Sequence, residues 1–402
     1  MHYDKTLSAN TNAINSNNFK KVVFYILIGL TIFQQLPVIK DLYYGQIRYI
    51  LYVGFGIFSI ISLINIHKFE KFFFTKFFTV IVLYSFLLNI IIRIFDVNYD
   101  IGFEFMVPFG ILICSFNTSL KREQLDKLLI WYIILSIILG VSSIFYYGEG
   151  FTITRNYFLR SKNQIGPLLG ISTVITYIWI VNKKQFSIKY NYLLIKLIMF
   201  ILLISSIIII RNRSSLLGIF IVGLLAFSKE YKFKKNLKNI IIIQFIILLV
   251  ILLSLLGVYN KLFEIIYKSI FLNYDINDIN SVSASRVAGY KLALKFTIDY
   301  PILGELGAGK YLNVIPHNYI LNKWVKYGII GSLPLIMFYL YLWIFTVKEI
   351  YMKKNEYTLP LWILLFSLIV SLLEYTYPYG PGVSQLMVWF LLGQYLKMKN
   401  IA

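Results

Sequence analysis

Residues 192–228 read YLLIKLIMFILLISSIIIIRNRSSLLGIFIVGLLAFS. Two apolar runs, 192–210 and 214–228, meet at Arg211, Asn212 and Arg213 with almost no connecting loop. A helix needs about 20 apolar residues to cross about 30 Å of hydrocarbon, so the stretch reads as two spans joined at a basic corner. Two guanidiniums at a membrane surface are costly unless paired or bound to an anion. Arg211 and Arg213 are therefore candidates for a phosphate clamp, weighed against simple snorkelling to lipid headgroups.

The same length rule, applied outward, finds apolar runs near 22–39, 47–66, 72–95, 102–118, 128–147, 165–182, 192–210, 214–228, 239–258, 328–347, 358–374 and 383–396. This predicts an all-α, polytopic membrane protein of about 12 transmembrane helices, a single domain over 22–402 behind a polar tail at 1–21. Composition agrees: 58% of the 402 residues are hydrophobic and 14% charged, against about half and a quarter in soluble domains. No cleavable signal peptide is expected ahead of the first span. Cys114 is the only cysteine, which excludes an internal disulfide and a cysteine metal site.

Loop charge sets the orientation. With the N-terminus inside, every inner segment is basic, and nearly all by lysine, from Lys20 and Lys21 through Lys183 and Lys184 to Lys397 and Lys399. Both termini are then cytoplasmic. The net charge of +21 is accounted for by topology, so nucleic acid is not an expected partner. The outer side instead collects arginines: Arg48, Arg93, Arg155, Arg160, Arg211, Arg213 and Arg286. Topology would not choose the disfavoured side for them, and a guanidinium's planar fork suits bidentate phosphate binding. These outer arginines read as functional.

One long segment resists reading as a span: SVSASRVAGYKLALKFTIDYPILGELGAGKYLNVIPHNYILNKWVKYGIIG, residues 281–331, inside an external loop of about 259–327 between spans 9 and 10. Arg286–Asp299 places Val287, Tyr290, Leu294 and Ile298 on one face and Lys291, Lys295 and Asp299 on another, as an interfacial helix does. Arg286 opens that helix, where free backbone N–H groups already favour an anion. Gly304, Gly307 and Gly309 follow Pro301, which predicts an irregular, closely approached backbone. His317, next to Asn318, is the side chain best suited to take a proton near neutral pH. A fourth cluster, Arg155, Arg160, Lys162 and Asn163, precedes a span, and Asn163 with Gly166 and Pro167 also suits a plain cap and turn. The outer carboxylates, Glu104, Glu149, Asp275, Asp278, Asp299, Glu305 and Glu374, form no paired set and no metal-site spacing. Glu104 is read as neutralising Arg93. Arginines are expected at the phosphates in place of a divalent cation, with no cofactor.

In order along the chain, SKNQIGPLLG, RNRSSLLG, SASRVAGYKLALKFTIDYPILGELGAGKY and PHNYILNKWVKYGIIG resemble the O-antigen polymerase and O-antigen ligase superfamily of polytopic bacterial glycosyltransferases, over roughly 150–345. The resemblance implies a helical fold of the C type of glycosyltransferase and a polyprenyl-pyrophosphate-linked glycan as donor. Arg213, Arg286 and His317 match the family's catalytic positions. Arg211, Arg155, Arg160, Lys162, Asn163, Lys291 and Asn318 are expected to bind pyrophosphate or glycan. Glu305 departs from the family's usual small apolar residue. The implied setting is the external, periplasmic face of the bacterial cytoplasmic (inner) membrane. The implied partners are membrane lipids and a chain-length regulator and flippase of the same pathway. Three readings stand: a polymerase of O-antigen or capsule, a ligase transferring glycan to lipid A–core, and a lipid-linked oligosaccharide flippase. The polymerase is favoured, because an Ile-, Lys- and Asn-rich, low-GC composition suits bacteria that make capsule without lipopolysaccharide. The flippase is disfavoured because neither half mirrors the other and the charge gathers in one external loop.

Overall fold

The computed structural model describes residues 21–63, 73–94, 102–118, 120–149, 152–153, 162–187, 192–230, 286–309, 312, 314–352, 357–380 and 383–401. Its helices are α1 (Lys21–Phe33), α2 (Pro37–Leu63), α3 (Phe73–Ile94), α4 (Gly102–Asn117), α5 (Arg122–Tyr147), α6 (Lys162–Val181), α7 (Leu193–Ile210), α8 (Arg213–Glu230), α9 (Arg286–Asp299), the single turn α10 (Glu305–Ala308), α11 (Tyr319–Met352), α12 (Leu359–Ser371) and α13 (Val383–Ile401). A 3₁₀ turn at Lys183–Gln185 and one two-residue ladder, β1 (Gly148–Glu149) with β2 (Thr152–Ile153), complete the described secondary structure.

Five of the described helices, α3, α5, α6, α7 and α11, are long and apolar enough to cross a membrane, and α1, α4 and α12 are shorter apolar helices. The molecule is thus helical and consistent with a polytopic membrane protein. The expected span at 239–258 lies outside the described residues, as do the tail at 1–20 and residues 259–285 of the external loop.

At the axis stands α12, LPLWILLFSLIVS, with all 13 residues buried. A helix apolar all round belongs in a core. It is enclosed by α6, α8, α11 and α13, while α13 also packs along α4. Glycines set the approach: a Cβ on Gly170 of α6 would lie 2.4 Å from Phe366 of α12, and one on Gly218 of α8 would lie 2.8 Å from the same ring. Small residues let helices close in where lipid supplies no hydrophobic drive between them. By contrast α7 exposes Leu193, Leu194, Ile198 and Ile201 along one flank, the surface a bilayer would cover.

Several boundaries differ from the apolar runs. The run at 22–39 ends at Phe33, and α2 begins at Pro37, whose missing N–H is harmless in a first turn. Gln34 braces this corner by donating Nε2 to the Tyr44 carbonyl at 3.0 Å. The span expected at 328–347 is the second part of α11, whose helical path breaks at Gly328 (φ 59°, ψ −170°).

That break explains the glycine-rich turn. Gly304 has φ 58°, and a Cβ there would lie 2.3 Å from the Val325 carbonyl oxygen. Reciprocally, a Cβ on Gly328 would lie 2.2 Å from the Ile302 carbonyl oxygen. The two backbones interlock, and Ile329 N and Ile330 N donate to the Pro301 and Ile302 carbonyls at 2.8 and 3.3 Å. The turn thus supplies the acceptors that the broken helix lacks. Glu305 is buried, its Oε1 accepting Leu312 N at 2.7 Å.

On α9 the protein-facing stripe is Gly289, Ala293, Phe296 and Thr297. Leu294 and Ile298, placed by periodicity on the apolar face, are exposed, together with Lys291 and Lys295. Gly289 and Ala293 let α9 lie close against α11, Phe296 packs into that contact, and Leu294 and Ile298 turn outward.

Candidate functional site

The site begins where α12 ends. Two hydrogen bonds, Leu373 N and Glu374 N to the Val370 carbonyl at 2.9 Å each, curl the chain into the segment 372–380. This segment is firmly held. Trp389 donates Nε1 to the Pro378 carbonyl at 2.9 Å, the Tyr379 ring stacks on Trp389 at 5.6 Å, and the Tyr377 hydroxyl pairs with Ser384. Glu374 therefore projects from a rigid mount with its side chain 6% exposed.

Three elements converge on that carboxylate. Arg286, first residue of α9, places Nη2 2.7 Å from Glu374 Oε1. Asn163, in the first turn of α6, donates Nδ2 to Oε2 at 3.4 Å. His317, just before α11, holds Nδ1 3.5 Å from the same oxygen. Nδ1 is buried and makes no hydrogen bond, whereas 41% of the His317 side chain is exposed, so the ring presents its other edge outward. Asn318 stitches the loop: its Nδ2 donates to the Leu372 carbonyl at 3.2 Å, and its Oδ1 caps α11 by accepting Leu321 N at 3.1 Å. Tyr290, one turn along α9 from Arg286, donates to the His317 carbonyl at 3.1 Å. Burial raises the Tyr290 hydroxyl above its ordinary pKa, partly opposed by Arg286 and reinforced by Glu374. Tyr375 is likewise raised, first by burial and then by Glu374 and Glu104. Both hydroxyls stay protonated, and Tyr290 acts as a donor.

The arginine corner adjoins this cluster. Arg211 ends α7 in the left-handed region (φ 60°, ψ 35°), and its N–H turns back to the Ile207 and Ile208 carbonyls. Asn212, 2% exposed, caps α8: its Oδ1 accepts Ser215 N at 2.9 Å and the Ser214 hydroxyl at 3.0 Å. Gly166 packs directly on Asn212, since a Cβ there would lie 2.3 Å from its side chain. Gly166 follows Asn163 by three residues, about 4.5 Å along α6. Asn212, at the Arg211–Arg213 corner, and Glu374 are therefore touched by α6 residues about one helical turn apart.

Of the sequence-derived candidates, Arg286, His317 and Asn163 meet at Glu374, Asn318 is bonded to the neighbouring Leu372 carbonyl, and Arg211 and Arg213 flank Asn212, which packs on α6 near Asn163. Lys291 lies on the exposed side of α9. Arg155 and Arg160 lie outside the described residues, as does the side chain of Lys162. Two carboxylates have partners that the sequence did not show. Glu374, seen in sequence as one unpaired carboxylate among several, is the hub. Glu104 pairs with Lys323, a buried cation that also lies 5.2 Å from the Tyr319 ring; the Arg93 side chain is outside the described residues. Sequence reasoning also missed Lys40, whose Nζ reaches Gln164 Oε1 at 3.1 Å beside Asn163. A signal for Glu374 was present: a carboxylate at the end of an apolar run needs a cationic partner.

Among the described residues, no group of three or more His, Cys, Asp and Glu side chains could hold a metal ion. No protein-family model matches this chain, and no curated protein matches it.

Proposed function

We propose that this protein is a glycosyltransferase of the C type, with about 12 spans and both termini cytoplasmic, that polymerises a surface polysaccharide. It takes the growing glycan from polyprenyl pyrophosphate and joins it to a lipid-linked repeat unit at the external face of the cytoplasmic membrane. The observation that carries this reading is the meeting of Arg286, His317 and Asn163 at one buried carboxylate, with Asn212 of the Arg211–Arg213 corner packed on α6 about one helical turn away.

The chemistry follows from those positions. The bond between the donor's anomeric carbon and its phosphate oxygen breaks, and the pyrophosphate leaves with the electron pair. Arg286, Arg211 and Arg213 stabilise that charge as it develops, the role of preorganised donors. The acceptor hydroxyl forms the new glycosidic bond and gives its proton to His317 through Nε2, the nitrogen turned away from Glu374. Beneath the arginine corner runs an apolar groove of about 490 Å³, lined by Tyr177, Phe200, Ile208, Leu216, Phe220 and Phe227 among others. It starts one turn from Arg211 and Arg213, so a ligand with an anionic head and a long apolar tail fits it end to end. The bundle axis is filled by α12, which favours a fixed surface site over a transport path.

The test is reconstitution in detergent with a lipid-linked repeat unit as sole substrate. A ladder of multimers is expected. Transfer that occurs only after lipid A–core is added would make the protein a ligase, and flipping in vesicles without transfer would make it a transporter.

A further inference from the structure

A site for pyrophosphate needs its arginine, yet Arg286 is already bound to Glu374. The two carboxylate oxygens are used unequally. Oε1 takes a 2.7 Å ion pair from Arg286, whereas Oε2 lies 3.4 Å from Asn163 Nδ2 and 3.5 Å from His317 Nδ1. The last two distances are long for hydrogen bonds, and His317 Nδ1 is left as a buried nitrogen with no bond made. A guanidinium, an amide and an imidazole around one anion are also a set that would hold a phosphate. The carboxylate sits behind them, 6% exposed, while the Arg286 and His317 side chains are 21% and 41% exposed.

An incoming polyanion therefore meets Arg286 first and brings like charge against Glu374. We propose that Glu374 is a displaceable stand-in for the substrate phosphate. When the pyrophosphate takes Arg286, the carboxylate closes onto His317 Nδ1, making the bond that is missing in the free site. The closure needs about half an ångström, within reach of a side-chain rotation, since the backbone of 377–380 is pinned by Trp389 and Ser384. Glu374 then holds the imidazole with Nε2 toward the acceptor and stabilises the imidazolium that forms. Donor binding thereby arms the base, and the donor must bind before the acceptor can react. Facing Glu374 besides these partners are the hydroxyls of Tyr290, Tyr375 and Tyr377, which stay neutral donors or spectators.

This inference rests on the glycosyltransferase reading for its consequence, but not for its test. The probe is inorganic pyrophosphate, added to the full chain in detergent. Glu374→Gln, which removes the competing charge, is expected to bind pyrophosphate about tenfold tighter, the lower range for coupling through one two-state contact, while its kcat on lipid-linked repeat unit falls. Unchanged or weaker binding in this variant overturns the proposal, because a merely structural role for Glu374 cannot tighten binding. The wild-type protein gives a second reading that no substitution can spoil. It has only 3 histidines, His2, His67 and His317, so ¹⁵N-histidine spectra can be assigned. Saturating pyrophosphate is expected to shift the His317 Nδ1 resonance, and a signal that does not move overturns the exchange. A moving signal without any multimer ladder would sink the polymerase reading and leave the exchange standing; a ladder with a static signal would do the reverse.

Discussion

The two ends of the helical bundle solve the same problem differently. At one end, Gln185 spends a single buried oxygen on two backbone donors, Thr358 N at 2.7 Å and Leu359 N at 3.1 Å, closing the start of α12. Nearby, Asp126 Oδ2 accepts Ser187 N at 2.6 Å, and Arg122 donates to the Lys184 carbonyl at 2.6 Å. Those side chains satisfy the main chain, and no ligand could replace them without unwinding it. At the other end of α12, charged and amide side chains are satisfied mainly by one another, through Glu374. Such partners can be exchanged for a ligand at little cost to the fold. At these two ends, then, the side chains that finish on backbone lock the fold, and those that share Glu374 are the ones a ligand could replace.

Substitutions at the two ends should therefore part company. His317→Ala is expected to lower kcat by roughly 10²- to 10⁴-fold, the worth of a general base, with the melting temperature close to wild type because Nδ1 makes no hydrogen bond. A fall in folded yield matching the fall in turnover would erase the contrast. Arg286→Ala and Arg213→Ala should each cost about 10²- to 10³-fold in turnover, as for a lost transition-state donor. Retained full-length glycan in both variants would remove the phosphate clamp. Arg286→Ala should also lose some stability, because it strands a buried carboxylate.

Gln185→Ala is the mirror image. It leaves two buried N–H groups without acceptors, at about 1–3 kcal/mol each. The expected result is a clear loss of thermal stability with unchanged turnover per folded molecule. If turnover fell while stability held, the far end would not be merely structural, and the comparison would need redrawing.

How much of this was legible beforehand follows from the same contrast. Helicity and the arginine corner could be read because hydrocarbon thickness and the cost of buried charge act on short windows. Gly304 was legible as a special backbone, but its partner Gly328 was not, since only packing joins residues 24 apart. Glu374 escaped for a similar reason. Its partners come from residues 163, 286 and 317, and no local period relates them. On α9 the exposed Leu294 and Ile298 suit the interfacial face read from periodicity, whereas the protein-facing stripe Gly289–Ala293–Phe296 was not legible, because it is selected by the closeness of α11 and not by hydrophobicity. What the sequence hides is which distant residues share a carboxylate.

Lys291 offers the smallest and most discriminating effect. It stands on the exposed side of α9, a little over one turn from Arg286, where solvent screens its charge. An exposed charge contact contributes about 0.2–1 kcal/mol. If Lys291 touches a remote part of the donor glycan or its phosphate, it binds ground state and transition state alike. Lys291→Ala should then raise KM by no more than about fivefold and leave kcat unchanged. A drop in kcat of tenfold or more would mean that the reacting groups extend around α9 to its outer side. The site would then be organised by the exposed surface of that helix, and the Glu374 cluster would be its support.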